Sequence, residues 1–252
     1  MNFGDNIALV LLLLFGLVVA AGSAMFFLVL VWRRRHRQQI FGNEFHPPFQ
    51  PADFHLHPFQ LSRPPCWLAV RSKNLAAVQS ALALHNPHPC SWLEGLSADN
   101  ERVLFISPPV AGWILVVGSG LPEPGDDVDA CHRFVLELSR KLGHVQFFSA
   151  SRILGHHAWI RVDSGKVLRA YAWAGKTLWN QGRKTQEEMK LGMNCFDYNE
   201  PVNSLNRAEP ILANVEKVSL LAARWSLDPA MIDERFFEER QGIAGELSFH
   251  PH

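Results

Sequence analysis

The amino-acid sequence predicts an α+β protein: a single N-terminal transmembrane helix followed by one globular domain with a mainly antiparallel sheet packed by helices. Three observations carry this. Residues 7–32 form an apolar run of 26 residues without one charge. Further on, short runs rich in β-branched and aromatic residues succeed one another without the intervening helices of a doubly wound sheet. Two longer stretches repeat apolar residues at three- and four-residue spacing. Composition agrees, with 48% of the 252 residues hydrophobic, 19% charged, and 24 basic side chains balancing 24 acidic ones. Such a balance is globular, neither disordered nor collagen-like. The four cysteines form no CxxC pair, which excludes a zinc ribbon and a disulfide-dense secreted scaffold.

The first element is the run Ile7 to Trp32. As a helix it measures about 39 Å, enough to cross a hydrocarbon core of about 30 Å with some tilt. No polar face can be drawn on it, so a buried soluble helix does not explain it. Arg33, Arg34, Arg35 and Arg37 follow at once, whereas the leader at residues 1–6 carries only the amino terminus and Asp5. Positive flanks stay in the cytoplasm. The expected topology is a single pass through the cell (inner) membrane, N-terminus outside and C-terminal domain cytoplasmic. A cleavable signal would carry its positive charge before the apolar stretch, the reverse of this order. Gly16, Ala20 and Ala24 give small-xxx-small spacing, which suits a homodimer through this helix.

Residues 33–65 read as a linker, basic at first and then rich in Pro, Phe and His. Pro47, Pro48, Pro51, Pro58, Pro64 and Pro65 forbid a continuous helix or a central strand. His46, His55 and His57, with His85, His88 and Cys90 beyond, match no zinc spacing, and no metal is expected. In a reducing cytoplasm Cys66, Cys90, Cys131 and Cys195 stay thiols, best explained as small buried hydrophobes.

The domain proper is expected over residues 66–252. Its 19 basic and 21 acidic residues form no single-sign block, so no nucleic-acid partner is expected. Strands are predicted at Cys66–Arg71, Val103–Ser107, Trp113–Gly118, Val145–Ala150, His157–Val162 and Val167–Trp173, the last two joined as a hairpin through Asp163, Ser164 and Gly165. A helix over Gly125–Gly143 carries Val128, Cys131, Val135, Leu138 and Leu142 on one face, acidic residues at its start and Gly143 at its end. A second, Pro210–Trp225, starts on proline and aligns Ile211, Val215, Val218, Ala222 and Trp225. Shorter helices are expected at Leu75–Leu84, behind a Thr185/Glu188 capping box, and at Asp228-Pro229.

The stretch Ile106-Ser107-Pro108-Pro109-Val110-Ala111-Gly112-Trp113, the helix and hairpin after it, and Trp225-Ser226-Leu227-Asp228-Pro229 resemble a bacterial family of soluble α+β domains over residues 90–232. No activity is attached to that family, and the resemblance carries no catalytic residue to any position here.

Chemical motifs are few. Ala170 to Thr177 satisfies the permissive phosphate-loop pattern AxxxxGKT, but Tyr171 and Trp173 fill a strand where a glycine-rich loop must wrap an anion. Gly175-Lys176 is therefore read as a turn. Gly118-Ser119-Gly120 lacks the third glycine of a dinucleotide fingerprint. His156 or His157 has the chemistry of a general base, with Asp163 or Glu137 as neighbour, although a half-buried histidine of an antiparallel sheet explains them better. No motif calls for a cofactor. Trp173, Lys176 and Trp179 are the candidate binding residues, because two tryptophans flank a turn and suit an exposed recognition tip, although core packing explains the tryptophans better. The expected function is a non-catalytic protein-interaction module on the membrane. The alternative is a membrane-bound hydrolase or transferase with a site assembled from dispersed residues such as His157, Arg161 and Asp163.

Overall fold

The structure is a computed structural model that describes residues 66–97, 103–198, 208–232, 237 and 240–247. The apolar run at 7–32, the arginines behind it and the linker to residue 65 lie outside these residues. Among the described residues no helix is long and apolar enough to cross a membrane. The chain divides into Met1–Phe54 and His55–His252, and every described residue belongs to the second unit.

That unit is built on one antiparallel sheet, nine strands wide among the described residues. In chain order the strands are β1 (Cys66–Val70), β2 (Leu84–Cys90), β3 (Val103–Ile106), β4 (Ile114–Val117), β5 (His144–Ser151), β6 (His156–Asp163), β7 (Lys166–Trp173), β8 (Thr177–Gln181) and β9 (Gly242–Leu247). Across the sheet they run β2-β9-β3-β4-β1-β5-β6-β7-β8. The helices are α1 (Leu75–Leu82), α2 (Trp92–Ser97), α3 (Val128–Leu142), α4 (Gln186–Lys190) and α5 (Ala208–Trp225), with a 3₁₀ turn at Pro229–Met231.

Strands β1 and β4 to β7 are apolar on both faces because helices cover both. One face presents Leu68, Val70, Ile114, Val116, Phe147 and Ile160 to Val78 and Leu82 of α1 and to Cys131, Val135 and Leu138 of α3. The other presents Trp67, Leu115, Phe148, Trp159, Tyr171 and Trp173 to Val218, Leu221, Ala222 and Trp225 of α5. The period-2 alternation of the strands sorts aliphatic residues to the first face and most aromatic ones to the second.

The clearest expectations hold. Asp127 caps α3, its Oδ1 accepting from the N–H groups of Asp129 and Ala130 at 2.9 Å each. Gly143 ends the helix at φ 80°, a conformation that costs other residues more. The β6–β7 hairpin turns through Ser164 and Gly165 at φ 47° and 75°, the left-handed pair of a type I′ turn. The Thr185/Glu188 capping box is formed in both directions.

Other elements depart from expectation. Helix α5 begins at Ala208, so Pro210 falls inside its first turn, where the missing N–H still costs nothing. Strand β2 was not foreseen, because Pro87 and Pro89 argue against a strand; it lies at the sheet edge, where a proline need not interrupt a ladder. Strand β9 was hidden by Gly242 and Gly245.

The expected aromatic tip is corrected. Only Gly175 and Lys176 face solvent there, while Trp173 and Trp179 are 4% and 7% exposed. Strand alternation sends them to opposite faces, Trp173 against Phe196 at 5.0 Å and Trp179 against His132 at 5.0 Å between ring centroids. Trp179 is core, and Trp179→Ala is expected to cost about 3–5 kcal/mol. Denaturant unfolding of the variant measures this directly.

Candidate functional site

Two polar assemblies stand out, and only one is open to a partner. The closed one lies under α4 and α5. Arg169 is 2% exposed and Glu188 fully buried. Glu188 accepts from Arg169 Nε at 2.9 Å, from the indole N–H of Trp159 at 2.8 Å, and from the Thr185 backbone N–H at 2.7 Å. Arg169 also donates to Asn180 Oδ1, to the carbonyls of Ala170, Gln181 and Gly182, and to Cys195 Sγ at 3.1 Å. Every strong valence of this buried pair is used, so it is a structural clamp joining β6, β7, β8, α4 and the segment at Cys195. Burial pushes the Cys195 thiol up to about 11 despite the neighbouring Arg169, so it is not a thiolate near neutral pH.

His157 belongs to the same closed layer. Its Nδ1 faces the Gly155 carbonyl at 3.1 Å and its Nε2 faces Asn214 Nδ2 at 3.1 Å. Asn214 Nδ2 also donates to the Asn194 carbonyl, and its Oδ1 accepts from Asn194 N–H. A neutral ring with the proton on Nδ1 satisfies every contact, and burial lowers its pKa to about 4. His157 is therefore not a free base. Arg161 and Asp163 lie four and six residues along the same strand, roughly 13 and 20 Å away at the usual rise. The dispersed constellation of the enzyme reading does not converge. Asp163 instead stands 3.7 Å from His144 Nδ1, and burial holds His156 below its ordinary pKa, with Asp126 opposing it. Ser107 is also consumed: its hydroxyl donates to the Pro108 carbonyl and accepts from Leu115 N–H.

The open assembly sits at the sheet end where β1 finishes and β4 and β5 begin. Strand β1 pairs with both, which brings Arg71, Trp113 and His144 together although they are far apart in sequence. Backbone pairing continues past the strand, with Arg71 N–H donating to His144 O at 3.0 Å. A groove of about 550 Å³ opens between Arg71, Ser72 and Lys73 on one side and Ala111, Gly112 and Trp113 on the other. The second wall is a tight turn closed by two hydrogen bonds between Val110 and Trp113. Ala111 and Gly112 both take positive φ, and a Cβ placed on Gly112 would meet nothing within 4 Å, so the groove is unobstructed there.

Of the seven tryptophans of the domain, Trp113 is the one not buried. Its ring lies edge-on to His144, 5.7 Å between centroids. His144 faces Gln146 Nε2 through its own Nε2 at 3.0 Å, and Gln146 also donates to the Trp225 carbonyl at 3.2 Å. Burial and the positive charges of Arg161 and Arg71 hold His144 below its ordinary pKa, with Asp163 opposing them. Its Nε2 being engaged by the amide, this histidine orients the wall behind Trp113 rather than acting as a base. Gln146 Oε1 and Arg161 Nε are buried polar atoms without a hydrogen-bond partner among the described residues.

Of the sequence candidates, Lys176 is exposed at the β7–β8 turn and the two tryptophans beside it are core. The segment Ala170–Thr177 is strand and hairpin turn, not a phosphate loop. His85 and His88 are exposed on β2, and no group of three metal-ligating side chains occurs among the described residues. The groove residues were missed as a set. Trp113 closes the Ile106–Trp113 stretch singled out in the sequence, yet only strand register places it beside Arg71. No family model matches the chain, and comparison with curated proteins and with solved structures gives no match.

Two outcomes are expected from the closed cluster. Glu188→Gln leaves a buried guanidinium without its counter-charge and should cost about 3–5 kcal/mol in denaturant unfolding. For His157 the unfolded state takes up a proton near pH 6.5 and the folded state only near 4. Stability should therefore be fully present above about pH 6.5 and fall between about 6.5 and 4, by a few kcal/mol in all. His157→Gln should flatten that slope in unfolding curves measured across this range.

Proposed function

We propose that the chain is a single-pass membrane protein whose C-terminal domain is a non-catalytic protein-interaction module on the cytoplasmic side, with the Arg71/Lys73/Trp113 groove as its contact site. The anchoring rests on the uncharged run at 7–32 and on Arg33, Arg34, Arg35 and Arg37 behind it. Gly16, Ala20 and Ala24 add a route to a homodimer within the bilayer.

One observation supports the binding reading above the rest. The groove keeps two exposed cations and the accessible part of an indole for another molecule, while the groups able to do chemistry are consumed elsewhere. Cys195 is a protonated thiol beside Arg169, His157 is neutral with both nitrogens engaged, and the Ser107 hydroxyl is tied to backbone. Aromatic and arginine side chains are the residue types that anchor protein interfaces. A hydrolase or transferase built on His157, Arg161 and Asp163 lacks the convergence it requires.

A second exposed feature provides an internal control. Ile153 and Leu154, 73% and 55% exposed, cap the β5–β6 turn at the opposite end of the sheet. A C-terminal green fluorescent protein fusion should fluoresce and a C-terminal alkaline phosphatase fusion should stay inactive, and the protein should leave membranes only with detergent. The reverse pattern overturns the anchoring. Trp113→Ala should abolish partner binding in a protein that still melts cooperatively, at a lowered temperature because the ring also packs on the aromatic core, whereas Ile153→Ser should leave binding intact. Loss with Ile153→Ser alone would move the contact site to the other end of the domain.

A further inference from the structure

The groove is positively charged beyond its two lining cations, and that asymmetry specifies what fits it. Arg71 and Lys73 make no ion pair among the described residues. Arg161 is an electrostatic neighbour of His144, whose ring meets Trp113; its Nε has no hydrogen-bond partner among the described residues and its guanidinium carbon lies 5.9 Å from the Trp225 ring centre. The facing negative group is Asp163, close to His144. His144 itself adds no charge near neutral pH. The start of α1 adjoins the same wall: Asn74 caps it, its first turn holds no acidic residue, and its dipole adds positive potential. The groove itself is lined by two cations and no carboxylate, and the helix N-terminus beside it leaves a net positive concavity with an indole on one wall.

We propose that the groove takes an acidic segment of a partner protein, its carboxylates pairing with Arg71 and Lys73 and an apolar or aromatic side chain lying on Trp113. This rests on the interaction-module reading and names the chemistry of the partner. Charge complementarity selects an acidic occupant. A volume of about 550 Å³ holds several side chains, more than a single small anion fills. Guanidinium and ammonium groups on one wall with an indole on the other match the alternation of acidic and apolar residues in a peptide. A lipid surface fits less well, because a flat plane of headgroups does not enter a concavity between two walls.

The test uses the full chain in detergent micelles and three short fluorescein-labelled peptides of matched length, each with a central Trp. One alternates Glu and Asp around it, the second replaces these with Gln and Asn, and the third with Lys. Fluorescence anisotropy should show binding of the acidic peptide, weakening as salt is raised. The Arg71→Glu/Lys73→Glu double variant, folded by its melting curve, should lose about tenfold or more in affinity. Arg71→Gln/Lys73→Gln serves if the reversed pair fails to fold. Retention of acidic-peptide affinity in the double variant overturns the proposal. So does preference for the neutral or basic peptide through Trp113, which would leave the interaction reading standing and remove only the acidic specificity. Binding of no peptide at all would remove the interaction reading itself. Retention of the protein by phosphatidylglycerol vesicles through the same two cations, with no peptide bound, would assign the groove to lipid headgroups and overturn the proposal.

Discussion

The half of the domain beyond β5 depends on a single buried charge pair. Arg169 sits on β7 with its guanidinium out of water, and Glu188 arrives from α4 to neutralise it. Neither charge tolerates burial alone, since an unpaired buried ion costs several kcal/mol. The pair therefore fixes where α4 docks. That in turn places the segment from Met193 to Phe196, which meets Asn214 of α5 through Asn194 and the Tyr171 hydroxyl through Phe196 N–H. One electrostatic requirement on β7 is thus transmitted to the helix covering the whole aromatic face. The capping box contributes twice, because the carboxylate that ends the orphan N–H of α4 is the same one that receives Arg169.

The aromatic face ties down most of the polar side chains of its layer. Trp159, Tyr171 and His157 stack along adjoining strands, with Trp159 and Tyr171 4.8 Å apart and His157 5.7 Å from Trp159. Burial in this layer pushes the Tyr171 hydroxyl up to about 12 as it lowers His157. The polar groups here give the layer one defined arrangement. At the other end of the sheet, β1 and β5 run out beside the start of α1 and the Val110–Trp113 turn, and the cover stops. The groove lies where the helical layers end.

How much of this was legible in the chain depended on whether the signal was local. Helix α3 announced itself through Asp127, an apolar stripe and Gly143, all within one segment. The β6–β7 hairpin did the same through Ser164-Gly165, and the Thr185/Glu188 box through its own spacing. Strand β2 failed because proline is judged without knowing whether a strand lies at an edge, and β9 because glycine hides a short strand. Trp173 and Trp179 misled for a related reason. Flanking a turn suggests exposure, but the face each residue takes follows from register and from a helix on either side, neither of which is written locally. The groove was invisible for the same cause. Arg71 follows β1, Trp113 precedes β4 and His144 opens β5; the adjacency of these strands is a tertiary fact, and the antiparallel order β4-β1-β5 assembles the three residues.

The two rims of the sheet carry a consequence for life at a surface. A strand with free N–H and C=O groups is a template for a neighbour's strand, and proteins held on one membrane meet their own copies often. Here β2 ends its ladder with Pro87, Pro89 and a register shift between His85 and His88, so one rim offers few donors in line. At β8 both backbone groups of Asn180 are already taken, its N–H donating to the Tyr198 hydroxyl and its carbonyl accepting from the same hydroxyl. With both rims spoilt for strand addition among the described residues, crowded copies of this domain need not zip into a growing sheet.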